Sequence, residues 1–213
     1  MTNILVLGAH GKIAQLATAM MVKHHDLHLT LFLRNAQRLA DQASDQVTVV
    51  EGDAGQLADL KAAMTGIDVV YANLAGSNIE DQAKNVVAAM DAAGVKRLIW
   101  ISTLGIYDEV PGKYGEWNHQ QLDGGYLETY AAAAKVIEVS DLETTVIRPA
   151  WLSNHDEVNY ETTQKGEPFK GTEVSRKSIA DLVTKLVLDP SQAIHESLGV
   201  NKPNTDGDKP AWY

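Results

Sequence analysis

Short apolar runs alternate with longer amphipathic ones along this chain, and the alternation begins at once. Ile4 to Leu7 reads as a buried strand. Between Lys12 and Lys23 the apolar residues Ile13, Leu16, Ala17, Met20 and Met21 recur at helical spacing, and Leu27 to Leu33 forms a second strand. The same rhythm predicts strands at Val47 to Glu51, Asp68 to Ala72 and Arg97 to Ser102, with helices at Leu57 to Met64 and Ile79 to Ala93 between them. Gly94 stands where a helix-terminating glycine belongs.

The rhythm breaks at 103–125, a stretch with several glycines, Pro111, Tyr107, Tyr114 and Trp117 that predicts a long loop. A helix from Tyr126 to Val139 and a strand from Thr144 to Arg148, closed by Pro149, follow. A second irregular stretch at 150–171 contains Trp151. The last elements are a helix at Ser178 to Leu188, with Ser175 or Ser178 as its cap, and a strand at Glu196 to Val200. At roughly 30 residues per strand–helix–strand step, this length holds about seven parallel strands with helices on both faces, in three layers. One domain is expected over 1–213, with the stretches 103–125 and 150–171 left to define a substrate.

Composition narrows the classes of function. The 213 residues carry 28 Asp+Glu against 18 Lys+Arg, a net charge of −10, and no basic cluster suited to a nucleic-acid backbone. The chain has no cysteine, which excludes disulfides and thiolate chemistry, and no long apolar run or signal peptide is read in it. A cytoplasmic protein acting on a small molecule is expected, without nucleic acid or membrane as partner and as either a monomer or a homodimer. His24, His25 and His28 straddle a helix end and a strand start, so they do not share the face that a metal requires, and no metal site is expected.

In a parallel sheet of this kind, ligands lie beyond the carboxyl ends of the strands, so Gly8, Arg34, Asp53, Asn73, Ser102 and Arg148 should converge on one crevice. The segment GAHGKIA places Gly8, Gly11 and Ala14 between strand and helix, at the spacing of a dinucleotide-binding turn. Glycine permits the turn and the approach of backbone to a pyrophosphate, with His10, Lys12 and Ile13 alongside. Asp26 falls at the start of the second strand, remote from the ligand, whereas LFLRN delivers Arg34 to its end. An arginine there suits a 2′-phosphate, so NADP(H) is expected in preference to NAD(H), and Lys12 adds charge. Arg148 is read as serving cofactor phosphate, substrate or an acidic neighbour.

The motif order GAHGKIA, LFLRN, VVEGDAG, VVYANLAG, RLIWIST and TTVIRPAWL resembles the atypical short-chain dehydrogenases of the NAD(P)H-binding, NmrA-like type, also described as NAD-dependent epimerase/dehydratase-like. The resemblance runs over roughly residues 2 to 200 and implies a Rossmann-type doubly wound α/β fold. It implies that Asp53 and Ala54 flank the adenine and that Asn73, Ala75 and Gly76 border the adenosine ribose and phosphates. Ser102, followed by Thr103, would face the nicotinamide. On spacing alone, Asp53 equally suits a turn or cap.

Related families use Tyr-x-x-x-Lys to protonate a carbonyl. Here Tyr126 stands at the usual tyrosine position and Tyr130 at the usual lysine position, while Lys135 is five residues past Tyr130, off its face. Two readings follow. One is a reductase using Ser102 with Tyr126 or Tyr130, on a flavin, quinone or carbonyl acceptor. The other is an NmrA-like protein that binds NADP(H) without turning it over and reports it to a partner. Packing of the two tyrosines against the long loop is the structural alternative to a catalytic role.

Overall fold

The apolar runs become strands because each is buried on both faces, as a parallel sheet covered by helices requires. The computed structural model describes residues Met1–Tyr213. Its sheet contains β1 (Thr2–Leu7), β2 (Leu27–Leu33), β3 (Val47–Glu51), β4 (Val69–Ala72), β5 (Arg97–Ile101), β6 (Glu143–Pro149), β8 (Glu161–Thr163) and β10 (Glu196–Asn201). They lie in the order β3-β2-β1-β4-β5-β6-β10-β8, and every neighbouring pair is parallel except β10 with β8. Seven strands are therefore parallel and the eighth is an antiparallel edge. A separate two-stranded sheet pairs β7 (Trp151–Ser153) with β9 (Glu173–Ser175).

Side chains alternate between two cores. Ile4, Val6, Tyr71 and Ile99 face α1 (Lys12–Met21) and α6 (Arg176–Leu188); Leu5, Leu7, Val70 and Trp100 face α2 (Leu57–Ala63), α3 (Ile79–Ala93) and α5 (Tyr126–Glu138). Gly94 closes α3 in the left-handed conformation, and the Ser175 hydroxyl caps α6 by accepting from the Ser178 amide at 2.9 Å. No helix is long and apolar enough to cross a membrane.

Two irregular stretches contain more structure than their composition predicts. Residues Gly112–Leu122 form α4, in a segment expected to be loop. The helix forms because Tyr114, Gly115 and Asn118 are buried and Trp117 packs between the Tyr114, Trp151 and Tyr213 rings, so tertiary contacts override two glycines. Likewise, 150–171 holds β7 and β8, and a 3-10 helix at Ala36–Gln42 bridges β2 to β3.

Arg148 does not reach the crevice. It is fully buried on β6, with Nη1 2.5 Å from Glu109 Oε1 and with Nε and Nη2 donating to the Ser197 hydroxyl and carbonyl, each at 3.0 Å. Glu109 also accepts from the Gly105 and Tyr107 amides, so one buried ion pair ties the segment after β5 to β6 and β10. Of the readings open for Arg148, the acidic neighbour is the one the structure supports. The Glu109→Gln variant leaves the guanidinium buried and unpaired, and should lose about 3–5 kcal/mol of folding stability. Replacing both residues with apolar ones should lose less. Guanidinium chloride denaturation measures this, and a single-variant loss below about 1 kcal/mol would contradict it.

Candidate active site

The sheet reverses its winding between β1 and β4, and the segments leaving those strands open a crevice there. Gly8 adopts φ +71°, and a side chain on it would bring a Cβ within 2.3 Å of the Asn73 carbonyl oxygen. At Gly11 a Cβ would fall 2.0 Å from Asn73 Nδ2. The two glycines thus let the turn lie directly against the β4 exit, where a larger residue would fill the cradle.

Gly8, His10, Gly11, Arg34, Asp53, Ala54, Asn73, Ala75 and Gly76 all line this one cavity of about 690 Å³. Asp53 also has a structural duty, since its Oδ1 accepts from the Gly55 amide at 2.8 Å and its own amide donates to Asp59. Ala54 is held by Asn85, which donates to its carbonyl. Arg38, Asn78 and Gln82 line the cavity too, and the sequence reading missed them. Arg38 lies four residues past Arg34 in the 3-10 segment. No helical spacing marks it, because Arg34 precedes that segment and a 3-10 turn repeats every three residues.

Other expected residues are placed differently. Lys12 is outside the cavity, on the opposite side of the glycine turn. Ile13, Ser102 and Thr103 are buried and do not line it. By strand alternation Ser102 faces the same side as Trp100, the side on which α5 packs, and its hydroxyl has no hydrogen-bond partner in the protein. Such a group is one that a ligand can satisfy.

Tyr126 and Tyr130 stack on α5 with ring centroids 4.4 Å apart. Tyr126 is half-exposed, whereas Tyr130 is buried in the α5-side core. Burial, with Tyr126 beside it, pushes the Tyr130 hydroxyl above the usual tyrosine range and makes it a weaker acid. Lys135 is exposed further along the helix. Neither tyrosine lines the crevice.

Loop aromatics and histidines have other tasks. Tyr107 donates to Glu138 and its ring lies under Arg148 and Lys165. Trp151 donates through Nε1 to Asn118. His119 is bracketed by Asp123 at 2.9 Å and Asp108 at 3.0 Å, joining the end of α4 to the segment after β5.

The profile described as NAD(P)H-binding matches residues 8–190. A Rossmann-fold NAD(P)-binding family protein from Shigella flexneri is 41% identical with a TM-score of 0.86, covering 99% of this chain and 98% of that one. A short-chain dehydrogenase/reductase of wide type from Veillonella parvula, solved in complex with NADP, is 28% identical with a TM-score of 0.92, covering 99% of each chain. The uncharacterized sugar epimerase YhfK of Bacillus subtilis is 26% identical over 192 residues, 85% of this chain and 86% of that protein.

The hydrogen bonds to Asp123 and Asp108 raise the His119 pKa above its ordinary 6.5. The stability it contributes is complete below that value and is lost as pH rises through the raised one. Thermal melts between about pH 6 and 9 should show a decline in the wild type that His119→Gln lacks; parallel profiles would contradict it.

Proposed function

The chain belongs to the NAD(P)H-binding family, and from that premise we propose that it is an oxidoreductase preferring NADP(H) and reducing a small flavin, quinone or carbonyl acceptor by hydride transfer. The observation that carries this reading is the crevice at the sheet reversal, with a glycine turn at its base and Arg34 and Arg38 at its rim. Neither arginine is paired with a carboxylate, although the chain has 28 acidic residues. Two guanidinium groups, one just past β2 and one in the 3-10 segment that follows, are suited to a 2′-phosphate, and an acidic residue in the place of Arg34 would favour an unmodified ribose.

In this reading Asp53 and Ala54 border the adenine, and Asn73, Ala75 and Gly76 border the ribose and phosphates. The amides of the first turn of α1 face the pyrophosphate, and Thr103 follows Ser102 beside the nicotinamide. The reduced nicotinamide, when bound, supplies a hydride. Ser102 orients the acceptor oxygen through its unpartnered hydroxyl. Tyr126, half-exposed, delivers the proton directly or from solvent. A buried Tyr130 with a raised pKa keeps the Tyr126 ring in place rather than acting as the acid. An acceptor whose reduced form spreads its charge over a conjugated system needs only this modest equipment.

One observation favours the second reading, a protein that binds NADP(H) without turnover: Ser102 is buried, apart from the large cavity. Turnover requires that end to open. NADPH oxidation with flavins, quinones and aldehydes is therefore the deciding assay. Consumption of any of these supports the reductase, and tight NADPH binding with none consumed supports the sensor.

Cofactor preference is tested separately. Arg34→Ala and Arg38→Ala should each weaken NADPH binding by about tenfold or more, the worth of a charge-assisted hydrogen bond, and leave NADH nearly unchanged. Calorimetric titration measures both. Equal losses for the two cofactors would contradict the assignment.

A further inference from the structure

Across the glycine turn from the crevice lies a second, open hollow of about 350 Å³, bordered by the start of α1, the segment after β7 and the first turn of α6. Lys12, Asn154, His155, Asp156, Arg176 and Lys177 line it, and it shares no lining residue with the crevice. The turn between the two is held by Gln15, which lines the hollow and donates at 2.6 Å to the carbonyl of His10, which lines the crevice.

Its charge runs against that of the protein. Three cations, Lys12, Arg176 and Lys177, meet one carboxylate in a chain of net charge −10. Asp156 is 88% exposed and pairs with Lys177 at 2.6 Å, which leaves Lys12 and Arg176 without an acidic partner. The fate of the five arginines sharpens the point. Arg97 and Arg148 are buried and bonded to internal acceptors. The other three, Arg34, Arg38 and Arg176, all line one or other of these two cavities.

Arg176 is also fixed in place. Its Nη1 donates to the Leu152 carbonyl at 3.0 Å and to Asn154 Oδ1 at 2.8 Å, so the guanidinium is oriented while Nε and Nη2 keep their protons unassigned to any protein acceptor. A planar fork held on one side and free on the other matches two oxygens of a phosphate or carboxylate. Lys12 and Lys177 add point charges nearby.

We propose that this hollow binds the phosphate or carboxylate group of a second ligand, distinct from the dinucleotide. The segment after β6 that supplies Asn154 to Asp156 is the one expected to recognise substrate, so the second ligand is the hydride acceptor. That last step rests on the reductase reading, and the anion site does not. An acceptor with an acidic tail would be drawn here by local positive charge and held beside the pyrophosphate turn.

The test is a titration of the full chain with inorganic phosphate, followed by amide nuclear magnetic resonance, with and without saturating NADP+. The expected result is saturable shifts at residues 154–156 and 176–177 that persist with NADP+ bound. Lys177→Glu and Arg176→Gln should each weaken phosphate by about tenfold, the effect expected of losing a close charge, with NADP+ affinity changed less than about twofold. Lys177 is partly exposed, so its variant remains informative if Arg176→Gln fails to fold. Displacement of phosphate by NADP+ would assign the hollow to the cofactor's own phosphates and overturn the proposal. Absent shifts, or shifts insensitive to both variants, would overturn it too. Shifts that appear alike with and without NADP+ uphold the site even where no acceptor is reduced, which separates its fate from that of the reductase reading.

Discussion

The approach of Gly8 to the Asn73 carbonyl is the contact on which the rest of the site depends. β1 and β4 are neighbours at the point where the sheet reverses, and their exits would ordinarily be spread apart by side chains. With no Cβ at Gly8, the turn lies flat against the next strand's exit, and Gly8, His10 and Gly11 line the crevice together with Asn73. Arg34, Asp53 and Gly76 reach the same cavity because the strands preceding them stop at a common level. Crevice and glycine turn are thus one constraint seen from two sides.

Cations are sorted by the same architecture. Arg148 is enclosed and neutralised by Glu109, and Arg97 is spent on backbone carbonyls. The remaining arginines stand at the carboxyl edge of the sheet without acidic partners, two on one side of the glycine turn and one on the other. In a chain so acidic overall, keeping these groups unpaired concentrates positive potential at a single edge of the molecule.

Periodicity made the strands and the cofactor turn readable, because burial on both faces and a strand–glycine–helix junction are local patterns. β1 to β6 fall within a few residues of their expected bounds, and nine of the expected crevice residues share one cavity. Segment GKYGEWNHQQL was misread because its helix depends on Trp151 and Tyr213, far along the chain. Arg148 was open to three roles for a related reason: a strand-end position says where a side chain sits, whereas Glu109 and Ser197 decide what consumes it. Arg38 and Gln82 lie in a 3-10 turn and a first helical turn, where apolar periodicity says nothing about which residue meets a ligand. Lys12 lines the neighbouring hollow rather than the crevice because one residue of rotation at a helix start separates two cavities.

The Ser197 anchor sets an order of assembly. Both Arg148 and Tyr107 hydrogen-bond to this serine of β10, so the segment after β5 is clamped only once that late strand has docked. β1 to β4 pair with one another early in the chain, yet α1, which follows the glycine turn, is covered by the late helix α6. The glycine turn's helix and the segment after β5 therefore both wait on the last third of the chain for their final packing.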